Sequence, residues 1–273
     1  MIILKCQMKE SKNGVAKMFA EERREQIISY LRANQRADIH ELIDKFCVSG
    51  ATIRADLRDL ESQGFIKRTH GGAIYREDML SDQDGIASRD AFESEKEAIA
   101  LEAAKLIQDG ETIILDAGTT SMHLARQLKD RTDLTIVTND IAVAGEIYQC
   151  RNITIIFCGG VMRPMYGCTA GAGTAAFIQG ISVDRAFISP NALSVSRGAF
   201  TTNFDLAETK QTFMNVSEKK YMLCTSNKIG KKALCQVASV EAFDAIFTDV
   251  HIRSLDREAL ESTDVPLYIC EKE

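Results

Sequence analysis

Six consecutive residues, Asp116-Ala117-Gly118-Thr119-Thr120-Ser121, combine the types needed to hold an anion. Gly118 lets the backbone turn closely and three hydroxyls follow it. A helix starting there would add unpaired amides and the positive end of a dipole. No Gly-Lys-Ser/Thr follows, so the run is not a nucleotide P-loop. Alone, it is equally the pattern of a helix cap after a buried strand. A second set lies upstream. On a helical wheel over about 50–62, Arg54 and Arg58 cluster with Ala51 and Ala55, opposite Ile53, Leu57 and Leu60. Two arginines beside two small residues suit close entry into a major groove, where Arg pairs with guanine edges or phosphates.

Periodicity gives the elements that must position these groups. Residues 20–33 read as a helix with Ile27, Ile28 and Leu31 on one face. Asp38 is placed to cap a second, carrying Ile39, Leu42, Ile43 and Phe46; Ser49 caps the third, and Gly64 stops it. From Phe65 to Tyr75 two short strands surround a tight glycine turn, with Lys67, Arg68 and His70 near its tip. A basic wing of this kind grips the DNA backbone; the alternative is a three-helix module whose hairpin meets protein. Residues 76–90 are polar, acidic and aperiodic, as a linker should be. A helix carrying Ile99, Ala103, Leu106 and Ile107 follows. Strands are then expected at 112–115, 134–137, 153–157, 185–188, 221–224, 245–247 and 267–269, alternating with helices, which argues a largely parallel sheet. Polar or glycine residues close strand after strand: Asp116, Thr138-Asn139-Asp140, Gly159-Gly160, Ser189 and Asp249. That edge is where open α/β sheets bind ligands.

A length of 273 residues suits one small domain and one of nearly two hundred. The net charge of −6 does not announce a nucleic-acid binder, and residues 18–78 hold 10 Lys/Arg against 11 Asp/Glu. Phosphate contact needs cations on one face, however, not a basic sum. No apolar run approaches the ~20 residues of a membrane span. Residues 1–17 lack the apolar centre of a signal peptide, so they are expected to be a loose extension, with Met18 a candidate start. These features point to the cytoplasm. None of the eight cysteines forms a C-x-x-C pair, so core thiols are expected, with no metal site and no cofactor.

The run V-S-G-A-T-I-R-A-D-L-R-D-L-E-S-Q-G-F-I-K-R-T-H-G-G-A resembles the DNA-binding signature of the DeoR family of bacterial sugar-catabolism repressors. Ser49, Thr52, Arg54, Asp56, Leu57, Leu60, Gly64, Arg68, Gly71 and Gly72 stand in register. Where the family usually has a second arginine after Arg54, this chain has Ala55, a change that bears on the operator sequence. The likeness continues to about residue 250 through E-K-x-x-I-A-x-x-A-A, D-A-G-T-T, T-N-D, C-G-G-V-M-R, V-D-R-A-F-I, A-E-T-K, N-K-I-G-K-K-A and F-T-D. It implies a winged helix-turn-helix (α+β) followed by an α/β sensor with a mainly parallel sheet, similar to ribose-5-phosphate isomerase. The layout would be an extension over 1–17, the DNA-binding domain over 18–75, a linker over 76–92 and the effector domain over 93–273.

Function follows from the same resemblance: repression of a carbohydrate-utilisation operon, relieved by a phosphorylated sugar or sugar derivative. Double-stranded operator DNA would meet Ser49, Ala51, Thr52, Arg54, Ala55, Arg58, Lys67, Arg68 and His70. The effector would meet Asp116, Gly118, Thr119, Thr120, Thr138, Asn139, Gly159, Gly160, Glu208, Lys210 and Lys228. Half-site geometry implies a dimer or higher homo-oligomer. Two segments depart from the family pattern. Thr225-Ser226-Asn227-Lys228 stands where an Asp-Ser-Ser/Thr-Lys run is usual, and Ser189-Pro190-Asn191-Ala192 where a glycine-rich stretch is usual. A rival reading, a sugar-phosphate isomerase with an appended domain, lacks carboxylates at 189–192 and leaves only Asp116 and Glu208 as acids. A third reading is a DNA-binding scaffold whose pocket is dead.

Overall fold

The computed structural model describes residues 20–34, 36–62, 66–69, 71–75 and 92–272, in two compact units, 20–75 and 92–272. Gly64, Phe65, His70, the expected extension over 1–17 and the expected linker before Phe92 lie outside the described residues.

The first unit runs α1 (Ala20–Asn34), β1 (Arg36–Asp38), α2 (Ile39–Phe46), α3 (Gly50–Ser62), β2 (Ile66–Arg68) and β3 (Gly72–Tyr75). The Asp38 carboxylate accepts the Glu41 amide at 2.8 Å and caps α2. Cys47, left-handed at φ 51°, ends α2. The Ser49 hydroxyl then accepts the Thr52 amide at 3.1 Å, at the start of α3. Ile27, Leu31, Leu42, Ile53, Leu57, Leu60 and Ile66 form the core. Arg23 and Asp56 pair inside it at 2.7 and 3.1 Å, only 7% and 4% exposed. Strand β1 is a finding that periodicity could not foretell, because Arg-Ala-Asp has no apolar alternation. It pairs antiparallel with β3, giving a three-stranded wing in the order β1-β3-β2. A Cβ on Gly72 would stand 2.0 Å from the Ala37 carbonyl, so only glycine permits that pairing.

The second unit begins with α4 (Glu93–Ala104), β4 (Thr112–Leu115), α5 (Thr119–Gln127), β5 (Leu134–Thr138), α6 (Ile141–Ile147) and β6 (Ile153–Phe157). A hairpin of β7 (Val161–Arg163) and β8 (Cys168–Ala170) follows, then α7 (Ala172–Ile178), β9 (Val183–Ile188), β10 (Ala192–Ser194) and β11 (Gly198–Thr201). It ends with α8 (Phe204–Asn215), β12 (Ser217–Leu223), a 3-10 turn (Ser226–Lys228), β13 (Cys235–Ala238), β14 (Ala245–Asp249), α9 (Ser254–Glu261) and β15 (Leu267–Cys270). All seven expected strands join one parallel sheet, ordered β15-β14-β12-β9-β4-β5-β6. Successive residues feed opposite faces, as a doubly covered sheet requires. Ile113, Leu115, Ile136, Phe187 and Phe247 pack with residues of α4 and α5; Ile114, Val137, Ala186, Ile188 and Met222 pack with Ile178, Phe213 and Met214. Of the described cysteines, Cys158, Cys168, Cys224, Cys235 and Cys270 are buried, and burial pushes the thiols of Cys158, Cys224 and Cys270 up to about 12, so those three are inert as nucleophiles.

The strand order places the site. From β4 the chain winds outward through β5 to β6, then returns to set β9 on the other side of β4 and winds away through β12 and β14. The loops leaving β4 and β9 therefore diverge, and a crevice opens between them at the carboxyl ends of the strands.

Candidate functional site

The outer face of α3 carries Ala51, Arg54 and Arg58 exposed and Ala55 half-buried, while Ile53, Leu57 and Leu60 are buried. Arg54 and Arg58 stack one turn apart, with Arg58 Nε donating to the Arg54 carbonyl at 3.3 Å. The Ser49 and Thr52 hydroxyls lie 2.8 Å apart, holding one another at the helix start. The two wing cations differ. Lys67 is exposed. Arg68 is tied back to α3: its Nε lies 2.6 Å from Glu61 Oε2 and its backbone amide donates to Oε1 at 2.9 Å. The Arg68 guanidinium holds the Glu61 carboxyl below its ordinary range. That tether fixes the angle between wing and helix and engages part of the guanidinium fork. If α3 enters the groove by this face, Arg54→Ala or Arg58→Ala should cost about 1–3 kcal/mol in operator affinity. A fluorescence titration on upstream DNA checks it, and unchanged affinity in the double variant would reject the orientation.

In the second unit a cavity of about 570 Å³ occupies the crevice beyond β4 and β9. Gly118 and Thr119 line it from the start of α5, Ser189, Pro190 and Asn191 from the loop after β9, Lys210 from α8, and Asn227 and Lys228 from the 3-10 turn. Gly118 adopts φ 153°, and a Cβ there would stand 3.1 Å from Ser189 Oγ, so glycine is needed where the loops approach. Its amide donates to Asp140 Oδ2 at 3.1 Å. The first bond of the α5 ladder runs from Met122 N to Gly118 O at 3.0 Å. The amides of Thr119, Thr120 and Ser121 precede it and have no acceptor within the helix.

Asp116, 1% exposed, does not line the cavity. It accepts the Lys210 ammonium and the Ser189 amide, the latter at 2.9 Å, and Lys210 also donates to the Ser189 carbonyl at 3.0 Å. The pair clamps the β4 and β9 loops together. Lys228 Nζ donates to the Pro190 carbonyl at 2.9 Å, and among the described residues no carboxylate lies within ion-pair reach of it. Burial pushes its ammonium below the usual lysine range, and the Lys210 charge adds to the effect. Arg126 also lines the cavity, paired with Glu146 at 2.9 Å.

The structure therefore brings Gly118, Thr119, Lys210 and Lys228 together at the cavity and leaves the other expected ligand residues out of its lining. Thr120 points inward, 1% exposed, its hydroxyl buried without a partner among the described residues. Thr138 accepts the Asp140 amide, and Asn139 donates to the Thr169 carbonyl at 2.7 Å, so both brace the loop beneath. Gly159 and Gly160 form the exposed turn into β7. Glu208 is corrected on helical phase: Leu206 and Lys210 face inward, so the residue midway between them points to solvent. Glu93, residues 165–168 of the β7–β8 hairpin, Asn191, Asn227 and Lys231 also line the cavity, and sequence reasoning does not single them out as contacts. The departures at 189–192 and 225–228 were the available signal for the two asparagines.

Helices, wing and cavity together define a class, a winged helix-turn-helix DNA reader carried on one chain with a ligand-sensing α/β unit. Residues 23–78 match the DeoR-like helix-turn-helix domain, and residues 92–250 match the DeoR C terminal sensor domain. The chain is 33% identical over 257 residues to the HTH-type transcriptional regulator YgbI of Escherichia coli strain K12, covering 94% of this chain and 100% of that one. It is 32% identical over 256 residues to the HTH-type transcriptional regulator GolR of Listeria innocua, covering 93% and 100%. Among solved structures the chain has a partial likeness to ribose 5-phosphate isomerase A of Methanocaldococcus jannaschii, at 17% identity and a TM-score of 0.36 over 49% of this chain and 53% of that one. The chain belongs to the DeoR family of helix-turn-helix transcriptional repressors, so it is a DNA-binding regulator and not an enzyme. Among the described residues no helix is long and apolar enough to cross a membrane.

Proposed function

We propose that the chain represses a carbohydrate-utilisation operon, and that a phosphorylated sugar or related polyol phosphate in the cavity weakens its grip on the operator. The observation that carries this reading is Lys228, a cation in the cavity wall with no carboxylate within ion-pair reach among the described residues. An anion would supply the missing charge. The unpaired amides at the start of α5, with Thr119, offer a phosphate donors and a favourable dipole. Lys231 adds a second cation at the same mouth.

On this reading Asp116 and Lys210 are positioning residues that hold the two loops together. The DNA-binding domain spans 18–75 and the effector domain 93–273, and the protein acts as a dimer or higher oligomer on paired half-sites. The effector must prefer the conformation that binds DNA poorly; a tenfold loss of operator affinity needs only about 1.4 kcal/mol of such preference. Thermal melting in the presence of sugar phosphates tests the pocket, since a ligand that binds only the folded state raises the transition. A phosphorylated sugar should raise the melting temperature of the sensor and its unphosphorylated counterpart should not. Equal shifts from both, or from neither, would count against an anion site.

A further inference from the structure

The two segments that depart from the family pattern meet in space. Lys228 Nζ donates to the Pro190 carbonyl at 2.9 Å, and the Gly230 amide donates to the Leu193 carbonyl at 2.8 Å. Leu193 and Ile229 form a parallel bridge beside them. Residues 189–191 and 227–228 are thus one continuous wall of the cavity, and they place two carboxamides on it, Asn191 and Asn227.

The two amides are not in the same state. Asn191 Oδ1 accepts the Thr201 hydroxyl at 2.7 Å, which fixes how that side chain is turned. Asn227 Oδ1 is buried and accepts nothing from the described residues. A buried acceptor without a partner is a standing cost, removed when a ligand brings a donor. Donors also meet the cavity, from Lys228, Lys231 and Thr119 at the start of α5; of the two carboxylates in the lining, Glu93 is exposed. The Asp140 carboxylate is already engaged, its Oδ1 by the Ala142 and Val143 amides and its Oδ2 by the Gly118 amide. Phosphate oxygens satisfy donors and cannot satisfy Asn227 Oδ1. A hydroxyl can.

We infer that Asn227 sets effector specificity by accepting a hydrogen bond from a hydroxyl of the bound sugar phosphate. This rests on the anion-site reading above. The ligand class narrows to an anion that also presents a donor to the wall beside Lys228. A phosphate ester lacking that hydroxyl leaves the acceptor orphaned and is rejected, as sites built to bond a hydroxyl reject the analogue without it.

The probes are glucose 6-phosphate and ribose 5-phosphate, each with its monodeoxy analogues, titrated calorimetrically against the full-length protein. For a probe that binds, wild type should favour the parent sugar over one of its deoxy analogues by about tenfold or more. In Asn227→Leu, and in the smaller Asn227→Ala, that ratio should collapse to about twofold or less, while the ratios for the other hydroxyls stay as in wild type. Because each ratio is internal to one variant, partial loss of folded protein does not alter it. An unchanged ratio in both variants, or equal binding of parent and analogues by wild type, overturns the assignment of Asn227. Failure of every phosphorylated probe to bind wild type instead removes the anion-site reading, and this inference with it.

Discussion

Replacing Lys228 with Met should weaken the response to a phosphorylated effector by roughly 30-fold in effector concentration and leave the free protein at least as heat-stable as the wild type. The two effects have one cause. Lys228 keeps an ammonium in the cavity wall, donating to the Pro190 carbonyl with no ion pair among the described residues, and burial pushes it below the usual lysine range. The free protein therefore bears a penalty for the charged form. For a base with a lowered folded pKa, that penalty is full below the folded value. It fades as pH rises from there toward the unfolded value, because over that interval the unfolded chain holds the extra proton. Met keeps most of the aliphatic stem and removes the charge. The effector loses its ionic partner, at a cost of about 2 kcal/mol or roughly 30-fold in affinity; the lower end of the range for such pairs applies because Lys228 is only partly buried. The wild-type affinity should also fall as pH rises through the lowered pKa of Lys228, and Lys228→Met should flatten that dependence. Calorimetric titration and thermal melting of the same preparations check both halves. A variant that melts well below wild type, or binds the effector as tightly, would contradict the role given to this lysine.

Asp56→Ala should cost the DNA-binding unit its fold at growth temperature. Arg23 and Asp56 are joined by two hydrogen bonds inside the small core, and removing the acid takes both bonds and the neutralising charge from a buried guanidinium. Breaking such a pair costs about 3–5 kcal/mol, and a unit this small has only about 3–8 kcal/mol in total. Operator binding should vanish, while the transition of the α/β unit persists in the melting curve. An Arg23→Met/Asp56→Leu double variant should melt above Asp56→Ala, because the buried cation is removed along with the acid that neutralises it. Wild-type melting and DNA binding by Asp56→Ala would show that the pair carries little.

The strands of the large sheet are legible in the sequence because a doubly covered parallel sheet needs apolar runs such as Thr112–Leu115 and Ala245–Asp249. The short strands are not. Arg36–Asp38 lacks apolar alternation, and β7, β8, β10 and β11 are strands of three or four residues paired in local hairpins, too short to show a period. The α3 faces follow from helical spacing alone, which is why Ile53 and Leu57 are buried and Arg54 and Arg58 exposed. Spacing also locates Gly118 and Thr119, since the strand before and the helix after them fix their place. Glu208 fails because a motif names residue types without fixing which side of α8 they occupy. Asp116 fails in a different way. Its position at the sheet edge is legible, but its engagement by Lys210, 94 residues on, exists only in three dimensions. The wall that joins 189–191 to 227–228 is hidden for the same reason.

The most direct measurement is displacement of labelled operator DNA from the full-length protein by a panel of phosphorylated and unphosphorylated sugars, run on wild type and Lys228→Met side by side. At least one phosphorylated sugar should release the DNA from wild type, its unphosphorylated parent should not, and Lys228→Met should hold the operator at the same effector concentration. Release by a neutral sugar alone, or equal release from the two proteins, would contradict an anion-sensing cavity at this edge of the sheet.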